Sequence, residues 1–157
     1  MLPEADRVVS WAIKHKTQLG IAESCTGGQV TAFLTQVPGC SQALWGSLVV
    51  YSNQAKTELL KVPQSLIQEH GAVSEEVVHS MANQMLSLFP IDLAVAISGI
   101  AGPSGGSTQK PVGTVWFALA MKGRETVSAR QLFQGNREQI IHQSAVFALR
   151  FILERTS

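Results

Sequence analysis

Three side chains that can act as nucleophiles stand together near the start of the chain: Ser24, Cys25 and Thr26. They follow a short apolar run and precede two glycines, in the segment GIAESCTGGQV. A nucleophile at a strand-to-helix turn is held out of the sheet, beside the free N–H groups that begin a helix. Gly27 and Gly28 would let a substrate approach that backbone, so an oxyanion or a phosphate could bind there. The alternative is a tight glycine turn in which Ser24 or Thr26 only caps the helix.

A serine nucleophile needs a base that takes its proton. Four histidines lie in or at the ends of helical segments, away from the glycines, and are interpreted as helix-face or core residues: His15, His70, His79 and His142. Lysine is the other common base, and Lys56 follows a predicted strand in the segment YSNQAK. Its pKa would have to fall from about 10.4 through burial or a nearby cation. The alternative for Lys56 is an ordinary solvated surface lysine.

A second lysine has a competing interpretation. Ser107 and Lys110 have the S-x-x-K spacing of penicillin-recognising enzymes, which requires a helix. Pro111 disfavours the helical conformation at Lys110, so the match is interpreted as chance, although Lys110 could reach a bound phosphate or carboxylate. The acidic residues are dispersed, and HExxH, Cys/His clusters and phosphate-binding glycine motifs do not occur. We therefore predict neither a metal site nor a cofactor.

Alternating helix and strand patterns must position these side chains. Apolar periodicity predicts helices over 4–18, about 28–36, 53–60, 73–86 and about 136–155, and strands over 19–23, 43–51 and 92–99, with a hairpin turning at 122–124. The pattern is typical of an α/β sandwich with a mixed sheet. Three polar or glycine-rich loops follow the first three strands: 24–28, 51–56 and 99–113. Because ligands bind beyond the carboxyl ends of strands in open α/β sheets, the loops form one site if these strands are parallel neighbours.

Composition limits the function classes. The 157 residues predict one domain, 1–157, and 45% hydrophobic with 15% charged residues is typical of a globular chain. A net charge of +1 and scattered basic residues argue against nucleic acid as a partner, and no 18-residue apolar span predicts a membrane helix. Two cysteines without a disulfide or metal spacing predict free thiols and a cytoplasmic protein. The wide apolar face of the last helix indicates central packing or an oligomer contact, and we expect a homo-oligomer, in the form of a dimer.

Four motifs, in the same order, resemble the C-terminal domain family of the competence/damage-inducible protein CinA, and most closely its stand-alone members, the nicotinamide-nucleotide amidases: AESCTGG, YSNQAK, GAVSEEVV and SGIAGPSGGSTQKPVGTVWFA. The resemblance covers about residues 4–154, without the larger N-terminal domain of full-length CinA proteins. It implies a three-layer α/β/α sandwich with a mixed, mostly parallel sheet. It also implies hydrolysis of the carboxamide of nicotinamide mononucleotide to nicotinate mononucleotide and ammonia, without a metal, in pyridine-nucleotide salvage.

The resemblance also implies roles for single residues. Ser24 would be the nucleophile and Lys56 the base, with Tyr51 and Thr26 beside them. Arg137, in QGNRE, matches a family arginine near the substrate, although this chain has Asn136 where relatives have aspartate. The residues expected to contact substrate are Gly27, Gly28, Gly99, Ala101, Gly102, Gly105, Lys110 and Arg137. Two alternatives remain: a non-catalytic nucleotide-binding or regulatory module of the same fold, and an amidase for another small molecule.

Overall fold

A computed structural model of the chain describes residues 2–156, in which a five-stranded sheet lies between two layers of helices. The strands are β1 (Leu19–Glu23), β2 (Leu44–Val49), β3 (Leu93–Gly99), β4 (Thr114–Met121) and β5 (Val127–Leu132). The helices are α1 (Pro3–Lys14), α2 (Gln29–Thr35), α3 (Asn53–Leu60), α4 (Gln64–His70), α5 (Glu75–Leu88) and α6 (Arg137–Thr156), and a short 3-10 turn spans Cys40–Gln42.

The strand order is β2-β1-β3-β4-β5. Strand β1 pairs in parallel with both β2 and β3, whereas β4 is antiparallel to β3 and to β5. Four strands therefore run in one direction and β4 runs against them, which confirms the predicted mixed, mostly parallel sheet. Because β1, β2 and β3 are parallel neighbours, the loops that follow them meet at one edge of the sheet, as the sequence predicted.

The central strand β1 is buried on both faces. Leu19 and Ile21 face one core, which includes side chains of α1, α2 and α6. Ala22 faces the second core, formed with α3, α4 and α5. The two cores confirm the three-layer arrangement. Successive strand residues point to opposite faces, so Glu23 lies on the α2 side and Ser24 follows at the end of the strand.

Two element predictions differ from the structure. Helix α1 ends at Lys14 rather than near residue 18, because Lys16 takes a left-handed backbone conformation (φ 53°) that no helix continues through. Helix α4 was not predicted: its seven residues bury only Ile67, so no apolar stripe marks it. The predicted cap of α5 is confirmed, since the Ser74 side chain accepts a hydrogen bond from the N–H of Val77.

The wide apolar face of α6 packs inside the same chain. Ile140, Ala148 and Leu149 are buried in the core shared with α1 and α2, and the ring of Phe147 lies 4.6 Å from that of Phe117 in β4. Central packing therefore accounts for this face, and the homo-oligomer stays a prediction. Within residues 2–156, no helix combines the length and the apolar content needed to cross a membrane.

Candidate active site

The β1–α2 turn, residues 24–28, holds the three candidate nucleophiles at the edge of the sheet. The N–H of Ser24 donates to the carbonyl of Ile97 in β3 (3.0 Å), so the backbone of Ser24 continues the parallel pairing by one residue. Gly27 and Gly28 then take left-handed conformations (φ 59° and 102°), which turn the chain directly into α2. The two glycines thus explain why a helix begins so soon after the strand.

Lys56 lies against Ser24. Its Nζ is 2.9 Å from Ser24 Oγ, and its side chain is among the largest that are fully buried in the described residues, with 1% of its surface exposed. Lys56 occupies the first turn of α3, which Ser52 caps by accepting the N–H of Ala55. The predicted surface-lysine alternative is therefore wrong for Lys56, because the strand order places α3 over the end of β1.

The surroundings of Lys56 favour the neutral amine. Burial lowers the pKa of Lys56 to about 8. Its Nζ also donates to the carbonyl oxygens of Val50 (3.1 Å) and Tyr51 (3.4 Å). A neutral amine has two N–H donors and one lone pair, so the two carbonyls satisfy the donors and the lone pair remains for the Ser24 hydroxyl. This arrangement suits a general base.

Cys25 is a poor nucleophile in this setting. Its side chain is buried, and burial raises the pKa of the thiol to about 12. With this pKa the Cys25 sulfur stays protonated at neutral pH. Because the thiolate is the reactive form, the protonated thiol is a poor nucleophile. Neither Cys25 nor Cys40 forms a disulfide, as predicted from their spacing.

Glu23 is the site residue that the sequence reasoning missed. It is fully buried, and its carboxylate accepts hydrogen bonds from Thr26, Gly28, Val30 and Thr31 at 2.6 to 3.1 Å. Thr26 donates its hydroxyl to Glu23 Oε2, and its side chain does not cap α2. A possible signal in the sequence is the charged residue that ends an apolar strand, followed by threonines three and eight positions later.

Most N–H groups of the turn already have acceptors. The N–H of Gly27 donates to the Ser24 carbonyl (3.1 Å) and that of Gly28 to Glu23 (3.0 Å). Within residues 24–31, only the N–H groups of Cys25 and Thr26 have no acceptor in another described residue. They directly follow the candidate nucleophile in the chain, where N–H donors of an oxyanion hole are commonly found.

Arg137 joins two of the predicted site segments. From the start of α6 its guanidinium donates to the carbonyl of Gly102 (2.8 Å) and to the hydroxyl of Tyr51 (2.8 Å). Tyr51 is 58% exposed, and its own carbonyl contacts Lys56 Nζ. The predicted residues Ser24, Lys56, Tyr51, Gly102 and Arg137 therefore belong to one connected arrangement at the edge of the sheet.

Other predicted residues belong to the β3–β4 loop, residues 100–113. Lys110 Nζ donates to the carbonyl of His70 (2.6 Å), which directs this side chain to the end of α4. Ala101 is buried and Gly105 is exposed. Ser107 Oγ accepts the N–H of Lys110 in a non-helical turn, so the S-x-x-K match is a local turn, as predicted.

The remaining candidate groups lie elsewhere. The four histidines belong to helices α1, α4, α5 and α6 or their ends, and none has a hydrogen bond to the Ser24–Lys56 pair. Within the described residues, no three His, Cys, Asp or Glu side chains are grouped so that they could hold a metal ion. A groove of about 1030 Å³ begins at Arg137 and runs along α6, and Gln29 forms part of its opposite wall.

The sequence and the fold match a known family. The CinA C-terminal domain family matches residues 3–156, so the chain belongs to it, as the four motifs predicted. The nicotinamide-nucleotide amidohydrolase PncC of Enterobacter agglomerans is 50% identical over 132 residues, which cover 84% of this chain and 80% of that relative. The protein of the same name from Escherichia coli K12 is 45% identical over 134 residues, covering 85% and 81%.

Longer relatives and solved structures support the same family assignment. A CinA-like protein of Petrotoga mobilis is 43% identical over 142 residues, which cover 90% of this chain but 35% of its own length. The crystal structure of the competence/damage inducible protein CihA from Agrobacterium tumefaciens superposes with a TM-score of 0.95 at 31% identity, covering 98% of this chain and 94% of that one. A CinA superfamily protein from Klebsiella pneumoniae 700603 gives 0.93 at 36% identity, covering 98% and 95%.

Proposed function

We propose that this protein hydrolyses the carboxamide of nicotinamide mononucleotide, giving nicotinate mononucleotide and ammonia for pyridine-nucleotide salvage. The names of the amidohydrolase relatives, at 45 to 50% identity over most of the chain, support this substrate. The observation that carries the chemistry is the 2.9 Å contact between Lys56 Nζ and Ser24 Oγ, inside a buried pair whose lysine has a lowered pKa.

In the proposed first step, the neutral amine of Lys56 takes the hydroxyl proton of Ser24 while Ser24 Oγ forms a bond to the amide carbon. The carbonyl oxygen becomes an oxyanion, which the N–H groups of Cys25 and Thr26 stabilise. The new ammonium of Lys56 then gives its proton to the departing nitrogen, the C–N bond breaks, and ammonia leaves an ester on Ser24. This step returns Lys56 to its neutral form.

In the second step the same amine takes a proton from water, and the resulting hydroxide attacks the ester carbon. The tetrahedral intermediate collapses, and Ser24 leaves with the proton held by Lys56. The carboxylic acid then loses its proton to solvent, where the released ammonia takes up a proton as ammonium, and the carboxylate product is released. One base thus serves both halves of the reaction. The water enters as nucleophile once per turnover, so atoms and protons balance without a metal or a cofactor.

Arg137 is the group proposed to bind the substrate phosphate. It is exposed, carries a permanent positive charge, and stands at the first residue of the 20-residue helix α6. The N-terminus of such a helix favours an anion. Burial lowers the Lys56 pKa without a contribution from Arg137, which favours substrate binding over tuning of the base as the role of this arginine.

The test is ammonia release from three amides: nicotinamide mononucleotide, free nicotinamide and glutamine. We expect turnover of the mononucleotide and at least about 100-fold lower kcat/KM for the other two, because neither has a phosphate to pair with Arg137. Faster release from either competitor would replace the proposed substrate. Thermal stabilisation by the mononucleotide without ammonia release would instead support the non-catalytic module.

A further inference from the structure

We infer that Glu23 is a positioning residue for the reaction: its carboxylate shapes the β1–α2 turn so that Ser24 and two main-chain N–H groups meet the amide. This inference rests on the proposed function and extends it to a residue that does not contact the substrate. The observation behind it is a fully buried carboxylate that directly precedes the candidate nucleophile in the chain.

All the partners of Glu23 are donors. Oε2 accepts the Thr26 hydroxyl (2.6 Å) and the N–H groups of Gly28 (3.0 Å) and Val30 (3.1 Å). Oε1 accepts both the N–H (2.9 Å) and the hydroxyl (2.7 Å) of Thr31. A proton on either oxygen would face a donor, so this set of contacts suits the ionised carboxylate. No ion pair with a cationic side chain is found for Glu23 in the described part of the chain.

These contacts span the whole turn. Thr26 lies inside it, Gly28 is the residue before α2, and Val30 and Thr31 belong to the first turn of that helix. The carboxylate therefore takes the free N–H groups with which a helix begins, and it leaves no such group for an external anion. It also holds the hydroxyl of Thr26, one of the two residues whose N–H groups remain available.

The position of these two N–H groups matters because oxyanion donors act within a narrow range of distances. Loss of one donor lowers kcat by roughly 100- to 1000-fold in comparable sites. A turn that is free to shift would move the donors of Cys25 and Thr26 together with Ser24. The substrate would still bind through contacts outside the turn, such as Arg137. We therefore expect the loss of Glu23 to act on kcat and to leave KM nearly unchanged.

The test is Glu23→Gln, which keeps the shape of the side chain. The NH₂ group of the glutamine replaces one carboxylate oxygen. It then faces main-chain N–H groups, which are donors and cannot accept its hydrogen bonds. We expect kcat for ammonia release, and the second-order rate at which a fluorophosphonate probe labels Ser24, both to fall about 100-fold. KM for the mononucleotide should stay within about threefold of wild type.

A matched control separates positioning from a general loss of stability. Leu93→Ala removes a fully buried side chain at the start of β3, the opposite end of the strand from the site. It should lower the melting temperature at least as much as Glu23→Gln while keeping kcat and the labelling rate within about threefold. Equal losses in both variants, or an unchanged labelling rate in Glu23→Gln, would overturn the inference.

Failure of the proposed function gives a different result. If the wild-type protein labels at Ser24 but releases no ammonia from the mononucleotide, the substrate is wrong and labelling still decides the role of Glu23. If the wild-type protein neither reacts with the probe nor turns over the mononucleotide, the amide NMR signals of Gly28, Val30 and Thr31 decide the role of Glu23. Faster hydrogen exchange at all three amides in Glu23→Gln supports the positioning role, and unchanged exchange overturns it.

Discussion

Two charged side chains are fully buried beside Ser24, and their surroundings differ. Glu23 meets only hydrogen-bond donors, five in all, from the turn and from the start of α2. Lys56 meets two main-chain carbonyls and one hydroxyl, and it has no carboxylate partner among the described residues. The carboxylate accepts five hydrogen bonds, whereas the lysine nitrogen contacts only three oxygens, none of them charged.

The difference teaches how one site holds both a rigid and a reactive group. Donors that match the charge of Glu23 fix its position and the backbone around it. Lys56 forms no ion pair with a described residue, and burial lowers its pKa, which makes the neutral amine accessible near neutral pH. In the proposed mechanism the buried amine therefore does the chemistry, and the carboxylate with its five donors holds the geometry.

The largest expected effect comes from removing the reactive pair. Ser24→Ala and Lys56→Met should each lower kcat for ammonia release by about 10⁴-fold or more, because nucleophile and base act as one unit. The double variant should be no slower than the single ones, which steady-state ammonia assays can measure. Cys25→Ala is the control and should stay within about threefold. Loss of activity in Cys25→Ala alone would assign the nucleophile to the thiol.

The next largest expected effect is on the free energy of unfolding, and it tests the lowered pKa of Lys56. The pKa of Lys56 is about 8 in the folded protein against the ordinary value of 10.5, so the unfolded chain binds this proton more tightly. Folding is therefore penalised below pH 8, and the penalty fades as pH rises towards 10.5. Relative to Lys56→Met, the free energy of unfolding of wild type should rise by about 2 to 3 kcal/mol between pH 7 and pH 10.

Urea unfolding of both proteins at the two pH values gives this difference directly, since all other titrating groups are shared. A constant difference would mean that Lys56 is paired with a charge in solution. Glu23→Gln offers a comparison at the same two pH values: the pH dependence that arises from Lys56 should persist in that variant.

A third charge, exposed instead of buried, should give a smaller effect. Arg137→Ala should raise KM for nicotinamide mononucleotide by about 30-fold, the loss expected for a charged hydrogen bond to phosphate. Nicotinamide riboside lacks the phosphate, so its kcat/KM should change little. Arg130→Ala removes an exposed arginine on β5 and is the matched control. Equal effects on both substrates would remove Arg137 from phosphate binding.

The smallest expected effect is a gradual change with pH. Because only the neutral amine of Lys56 accepts a proton, kcat/KM should rise with pH up to about 8 and fall about tenfold for each unit below that value. A series of initial rates from pH 6 to pH 9 measures the slope. A flat profile below pH 8 would contradict a lysine base with this pKa.

The sequence predicted the contact between Ser24 and Lys56, because this contact depends on chain order. Ser24 follows β1 and Lys56 follows β2, and parallel pairing of these neighbours brings the two side chains together. The burial of Lys56 was not predictable, because it depends on how α3 lies over the end of the sheet. The position of Lys110 was also missed: its loop is long, and contact with the carbonyl of His70, forty residues away, leaves no local pattern.

The fold was predicted more completely than the site. Strands with continuous apolar runs, such as β3, and the capped helix α5 were identified within a few residues. The burial of Glu23 was missed, since a carboxylate at a strand end is usually solvated. Its donors come mostly from main-chain N–H groups, which every sequence has, and only the folded turn directs them at one side chain.

The protonated thiol of Cys25 has a practical consequence for inhibitors. Alkylating reagents and mild oxidants act on thiolates, and a buried thiol with a pKa of about 12 offers almost none at neutral pH. Iodoacetamide or peroxide should therefore leave the protein unmodified at this position, although the sulfur belongs to the residue next to Ser24. Under the proposed mechanism, a covalent inhibitor has to be built for an oxygen nucleophile.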